Sequence, residues 1–141
     1  MTTAQEDEEA NALIIQSNRV AAIIKIDADT DTLYGSVLGN RTEEYTSAAK
    51  DAELYKEANY TGAVPPGVQS WASAKGWTPE RASKDILITA AAWIGAQNVI
   101  RAARLLRKEQ VRLATSNVEI SDSLAAWQGF LAYIKKILGV A

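Results

Sequence analysis

Apolar residues recur at steps of three, four and seven near the start of the chain, which is the period of a helix that buries one face. These residues are Leu13, Ile14, Val20, Ile23 and Ile24. The spacing predicts a helix over about residues 3–26, and its acidic first turns suit the positive end of a helix dipole. The helical pattern resumes over about 32–59, so we expect long helices across residues 3–59.

Three alternating acids, Asp27, Asp29 and Asp31, separate these two stretches. Two interpretations stay open: a short break in which Thr30 or Asp31 caps a second helix, or one bent continuous helix. The acids resemble the start of a calcium loop, but such a loop needs glycine at position 32 and a carboxylate at position 38. Threonine and leucine stand there, so we expect a solvated turn and no metal site. In the second stretch, Gly35 and Gly39 are expected inside the helix, where another helix comes close.

Proline marks the clearest interruption, at Pro65-Pro66. A short helix over about residues 67–75 is predicted to follow and to stop at Gly76. The pair Thr78-Pro79 is a helix start signal, because a capping hydroxyl precedes a proline at the first helical position. We therefore expect a second long helix over about residues 79–115.

The last predicted helix, about residues 121–138, has the spacing of a coiled-coil seam, with apolar residues at alternating steps of four and three. They are Ile120, Leu124, Trp127, Leu131, Ile134 and Leu138. We expect this seam to drive self-association or to bind a partner helix. No segment is typical of a strand. The predicted fold is all-α: a helical hairpin or bundle of long helices with a short proline-bounded helical insert (residues 1–115), followed by a coiled-coil-like C-terminal helix (residues 116–141).

The amino-acid composition limits the kinds of bond and catalytic group that the chain can provide. The 141 residues suffice for one core, and 48% of them are hydrophobic. The chain has no cysteine and no histidine, which removes disulfides, thiolate nucleophiles and the commonest general base. We expect no enzyme activity, no catalytic residues and no cofactor. The acidic, polar start does not resemble a secretory signal, and we identified no apolar stretch of about 18–20 residues, so no membrane association is expected.

Charge is divided unevenly along the chain. Residues 1–60 carry a formal charge of −7 and residues 61–141 carry +5. Part of the positive charge lies in a basic stripe of the second long helix, formed by Arg101, Arg104, Arg107, Lys108 and Arg112. A polyanion such as nucleic acid is one partner for this stripe. The isoelectric point of about 5.2 favours the other interpretation, in which the acidic first half lies antiparallel to the basic helix and neutralises it.

Four tryptophans accompany a single phenylalanine. Trp71 and Trp77 flank Gly76, and Trp93 lies in the second long helix. Such residues are more often core or interface anchors than platforms for a carbohydrate. The expected interface therefore consists of Trp71, Trp77, Trp93, Arg101, Arg104, Lys108, Leu124, Trp127, Leu131, Ile134 and Leu138.

Several segments between residues 20 and 115 carry a resemblance to known proteins. They are IDADTD at 26–31, GNRTEEY at 39–45, GAVPPGVQSWA at 62–72, IL at 86–87, AAW at 91–93, IRAARL at 100–105 and KE at 108–109. Together they resemble small proteins encoded among the tail and tail-fibre genes of tailed bacteriophages and prophages. The resemblance is a set of many short matches rather than one motif, and it supplies no catalytic residue.

The resemblance implies a viral protein made in the host cytoplasm and built into the virion tail. Its expected function is structural: organising or attaching tail-fibre or baseplate subunits, with other phage tail proteins and copies of itself as partners. A tail-fibre assembly chaperone is the first alternative, and a helical nucleic-acid-binding or regulatory protein is the second.

Overall fold

The computed structural model describes residues 3–140. Within this range the chain forms five helices and no strand: α1 (Ala4–Leu38), α2 (Thr42–Glu57), α3 (Pro66–Lys75), α4 (Pro79–Leu113) and α5 (Asn117–Leu138). The all-α class and the short proline-bounded helix are confirmed. The helices belong to two compact units, one of residues 1–37 and 99–141 and the other of residues 38–98. The residues of α5 belong to the same unit as most of α1.

The first unit contains most of α1, the C-terminal part of α4, and α5. Its core comprises Ala22, Ile26, Leu33, Ile100, Val111, Ala114, Ile120, Trp127, Leu131 and Ile134. In this unit α1 runs antiparallel to α4. Arg19 donates a hydrogen bond to the carbonyl of Ala114, whereas Asp27, further along α1, contacts Arg104 and Lys108, earlier on α4. The predicted antiparallel hairpin is therefore present within this unit.

The second unit contains α2, α3 and the N-terminal part of α4. Its core comprises Ala52, Tyr55, Val68, Ala72, Ala82 and Ile86. The buried hydroxyl of Ser83 on α4 donates a 2.9 Å hydrogen bond to the carbonyl of Ala52 on α2. At Gly67 of α3 a Cβ atom would lie 3.0 Å from Cα of Ala48, so glycine permits α3 to lie close to α2.

Of the two interpretations left open at Asp27–Asp31, the structure shows the continuous helix, and the first helix break lies further along the chain. Helix α1 continues through Asp27–Asp31 to Leu38, and the chain turns at Gly39, whose φ is +60°. The predicted helix over 32–59 was therefore wrong, and so was the place of Gly39 inside it. A Cβ atom on Gly35 would have no neighbour within 4 Å, so no helix approaches there.

The predicted signals at the later helix ends are confirmed. The hydroxyl of Thr78 accepts a hydrogen bond from the Arg81 amide, and Pro79 is the first residue of α4. Gly76 and Gly139 end α3 and α5 in the left-handed conformation. Helix α5 begins four residues earlier than expected, because Ser116 caps it by accepting a hydrogen bond from the amide of Glu119.

Candidate interaction surfaces

The tryptophan-bearing segment is anchored within the second unit. The indole Nε1 of Trp71 donates a 2.9 Å hydrogen bond to Oδ2 of Asp85 on α4. The ammonium of Lys75 lies 3.8 Å from the same oxygen and 5.2 Å from the centre of the Trp71 ring. These contacts tie α3 to α4 and fix the orientation of a half-buried indole. Trp71 is thus held in place before any partner binds.

Trp77, between α3 and α4, is enclosed by two cations. The Lys75 ammonium lies 4.8 Å and the Arg81 guanidinium 4.0 Å from its ring centre. Both distances are within the range of favourable cation–π contacts. Trp93 is half-buried and Arg101 is exposed. The structure therefore leaves the tryptophans at 71, 77 and 93 partly accessible.

A groove of about 820 Å³ lies between α2 and α3 in the second unit. It is lined by Glu43, Glu44, Tyr45, Ser47, Ala48, Asp51, Pro66, Gly67, Ser70, Trp71, Ala74 and Lys75. Oδ2 of Asp51 accepts a 2.9 Å hydrogen bond from the Gly67 amide, so this carboxylate joins the two helices. Among the residues described, no group of three or more acidic side chains is arranged to hold a metal ion.

The basic stripe is largely occupied by acceptors of its own chain. Nζ of Lys108 lies 2.9 Å from Oδ2 of Asp27, and Nη1 of Arg104 lies 3.2 Å from Oδ1. Burial alone would raise the pKa of Asp27, but hydrogen bonds from Lys108 and Arg104, together with their charges, outweigh it and lower that pKa below its usual 3.8. The sequence-based interpretation in which the acidic half neutralises the basic helix holds at these contacts.

Two of the three remaining stripe cations pair within α4. Arg107 donates to Oε1 of Gln110, and Arg112 forms an ion pair with Glu109. The hydrogen bond from Arg112 lowers the pKa of Glu109. Only Arg101 of the five presents an exposed guanidinium for which the structure gives no acceptor among the residues it describes.

The predicted α5 seam lies in the core of the first unit. Ile120, Trp127, Leu131 and Ile134 are buried, and Leu124 and Leu138 are packed against the same core. The Trp127 indole also donates a 3.1 Å hydrogen bond to Asp29 of α1. Its assignment as a surface for another molecule is thus corrected: the 4,3 spacing is present, but helices α1 and α4 of the same chain cover it.

Sequence reasoning missed a second seam, on α4. Exposed residues follow one another at steps of four and three along one face of this helix. They are Ile88, Ala92, Gly95, Val99, Ala102, Leu106, Glu109 and Leu113, and we call them the α4 seam. The same spacing test that found the α5 seam finds this one. Its small residues and its position beside the basic stripe made it less evident.

The centre of α4 is also free of charge. The fifteen residues from Ile86 to Ile100 include no acid and no base. By length and composition alone α4 could cross a membrane, which corrects the expectation that no stretch of the chain is apolar enough. One such helix is weak support for a membrane protein, since helices of soluble proteins meet the same criteria.

Comparison with known proteins adds no relative: no protein-family description, curated protein or solved structure matches this chain.

Proposed function

We propose that this protein acts by binding other protein subunits through its helices, as a structural component of a bacteriophage tail that organises or attaches fibre or baseplate subunits. It performs no catalysis in this role. The bacteriophage setting comes from the sequence resemblance, and the protein-binding role is supported by the surface of α4.

The observation that carries the proposal is the exposure of large apolar side chains on α4. Ile88, Val99, Leu106 and Leu113, four positions of the α4 seam, are each at least half exposed. Single exposed apolar residues are ordinary, whereas a continuous row of them marks a surface that another molecule covers. A helix that is apolar on more than one face is typical of a helix buried within an assembly.

Mass spectrometry of purified phage particles tests the tail assignment. A structural component is expected in the particles at a copy number fixed relative to the major tail proteins. An assembly chaperone would be absent from particles while deletion of its gene would abolish fibre incorporation, and that result would replace the structural role by the chaperone role. A protein that is absent from the particles and is not needed for fibre incorporation would refute both the structural role and the chaperone role.

A further inference from the structure

The groove between α2 and α3, which we call the α2–α3 groove, belongs to the second unit alone. Both helices contribute residues at steps of three and four, which is the spacing of a single helix face. From α2 these are Glu44, Ser47, Ala48 and Asp51, and from α3 they are Gly67, Ser70, Trp71 and Ala74. Because the two backbones lie close together at Gly67 and Ala48, the shape of the groove is set within one compact unit.

The lining of the groove combines small residues with two aromatic rings. Tyr45 is 39% exposed, and no cation among the described residues lies over its ring. The Nε1 of Trp71 is already bonded to Asp85, so this indole offers the groove its ring and not its hydrogen-bond donor. An occupant therefore meets hydrocarbon and aromatic surface. Such a surface suits an aliphatic chain and attracts a positive charge to the ring faces.

The lining carries three acids and one base, and the base is already engaged. Nζ of Lys75 lies 3.8 Å from Oδ2 of Asp85 on α4. Within the part of the chain that the structure describes, Glu43 and Glu44 have no hydrogen-bonding or ion-pairing partner for their carboxylates. Asp51 uses Oδ2 to bind the Gly67 amide and has no cation beside it. The groove thus presents negative charge that its own chain does not neutralise.

A lysine or arginine side chain combines the two properties that the groove complements, since a long aliphatic stem ends in a positive charge. We propose that the α2–α3 groove binds a basic segment of a partner protein, with the stem of a lysine or arginine on the aromatic rings and its charge on the carboxylates. The groove volume of about 820 Å³ is in the range of about 300–1,000 Å³ that is usual for binding clefts. The inference rests on the proposed function in taking the partner to be a protein, and it adds the charge of that partner.

Other classes of occupant match the groove less well. A nucleic acid or an anionic membrane would bring phosphates next to Glu43, Glu44 and Asp51, which repel them. A purely apolar segment would cover the Asp51 carboxylate without supplying a positive charge, and burial of an unpaired charge is unfavourable. A metal ion finds no group of three acidic ligands among the described residues. A basic protein segment satisfies both the charge and the ring surface.

Nuclear magnetic resonance of nitrogen-15-labelled protein tests binding, with the peptide acetyl-(Ala-Lys)3-amide as the probe. We expect saturable shifts of the indole N–H signal of Trp71 and of backbone amides in residues 43–51 and 66–75. The matched peptide acetyl-(Ala-Glu)3-amide has the same length and the opposite charge, and it should leave these signals unchanged. Absence of saturable shifts with the lysine peptide, or shifts spread evenly over both units, would overturn the proposal.

Two double variants of α2 separate the groove from general acidity. Glu43→Gln with Glu44→Gln removes two charges of the groove, whereas Glu53→Gln with Glu57→Gln removes two exposed charges outside it. The first pair should weaken binding of the lysine peptide by about three- to tenfold and the second by less than about twofold. Circular dichroism establishes that both variants retain their helices. Equal weakening in both variants would show non-specific attraction and overturn the proposal.

The aromatic contact is tested at Tyr45, because no contact within the described chain depends on its hydroxyl. Tyr45→Leu removes the ring and should weaken binding of the lysine peptide by about two- to fivefold, as expected for an exposed cation–π contact. Tyr45→Phe retains the ring and should bind the peptide as the wild type does. Unchanged binding by Tyr45→Leu would refute the placement of the cation at this ring.

Three outcomes separate this inference from the proposed function. A protein that is found in phage particles but whose groove does not bind the lysine peptide would overturn the inference and leave the tail role intact. A groove that binds the peptide, in a protein absent from particles and dispensable for fibre incorporation, would do the reverse. Shifts of the groove signals on dilution of the free protein would show that a second copy occupies the groove, and would overturn the inference alone.

Discussion

Replacement of Leu131 by alanine distinguishes a seam that holds one chain together from a seam that joins two chains. Leu131 is 4% exposed and belongs to the core formed by residues of α1, α4 and α5. Removing three buried carbons costs about 2.4 kcal/mol at about 0.8 kcal/mol per methylene. The residual cavity adds to this, which places the expected loss of unfolding free energy within about 2–5 kcal/mol.

Urea denaturation followed by circular dichroism at 222 nm measures this loss. With a dependence of about 2 kcal/mol per molar urea, the midpoint of Leu131→Ala is expected to fall by about 1–2.5 M. The matched control is Ile137→Ala on the same helix, because Ile137 is 58% exposed and its truncation should change stability by less than about 0.5 kcal/mol. The molecular mass of both variants should equal that of the wild type. An unchanged midpoint combined with a reduced mass would show that the α5 seam joins chains, and the assignment to the core would be wrong.

Three further substitutions test individual contacts. Because the pKa of Asp27 is lower in the folded chain than its usual 3.8, its stabilisation is present above that value and is lost as the pH falls through the folded pKa. Asp27→Asn should thus lower the unfolding free energy by about 0.5–1 kcal/mol at pH 7, as measured by urea titration. In acid, the variant and the wild type should have the same unfolding free energy. An equal loss at both pH values would contradict the ion pairs. Ser83→Ala removes the buried hydrogen bond to the Ala52 carbonyl and should cost about 0.5–1.5 kcal/mol by thermal denaturation, whereas an unchanged melting temperature would show that the bond contributes nothing. Gly67→Ala places a Cβ atom 3.0 Å from Cα of Ala48 and should cost about 1–3 kcal/mol in the same assay, and a stabilised variant would mean that α2 and α3 separate easily.

The sequence predicted the helical class and most helix ends because those depend on local chemistry. The proline pair, the Thr78-Pro79 start and the glycines at 76 and 139 act on their own neighbours. Each of these signals was placed correctly, and the helices they bound were found within a few residues.

The aspartates of α1 show why the sequence could not decide between a helix break and a continuous helix at residues 27–31. Asp and Thr favour caps when their side chains are free to bond the nearby backbone. Here Asp27 is held by Arg104 and Lys108, Asp29 accepts from Trp127, and the hydroxyl of Thr30 bonds the carbonyl of Ile26 within the helix. The partners of Asp27 and Asp29 named here lie 77 to 98 residues away in sequence, and local spacing contains no record of them.

The two seams show which part of an interface prediction a spacing pattern supports. A 4,3 repeat indicates that one face of a helix is apolar. The repeat is the same whether the helix that covers this face comes from the same chain or from another. What differs is residue size and the number of apolar faces on the helix. Each position of the α5 seam holds a large residue, as a core shared by three helices requires, whereas the α4 seam includes the small residues Ala92, Gly95 and Ala102.

Helix α4 uses two faces at once. Ile100 and Val111 pack into the core of the first unit, while Val99 and Leu106, displaced around the helix, stay exposed. A helix with a single apolar face buries that face inside its own chain. The second apolar face of α4 is therefore the one that remains for another molecule. The surface available for assembly is therefore predicted by the helix with more apolar positions than its own core can cover, and not by the most regular seam.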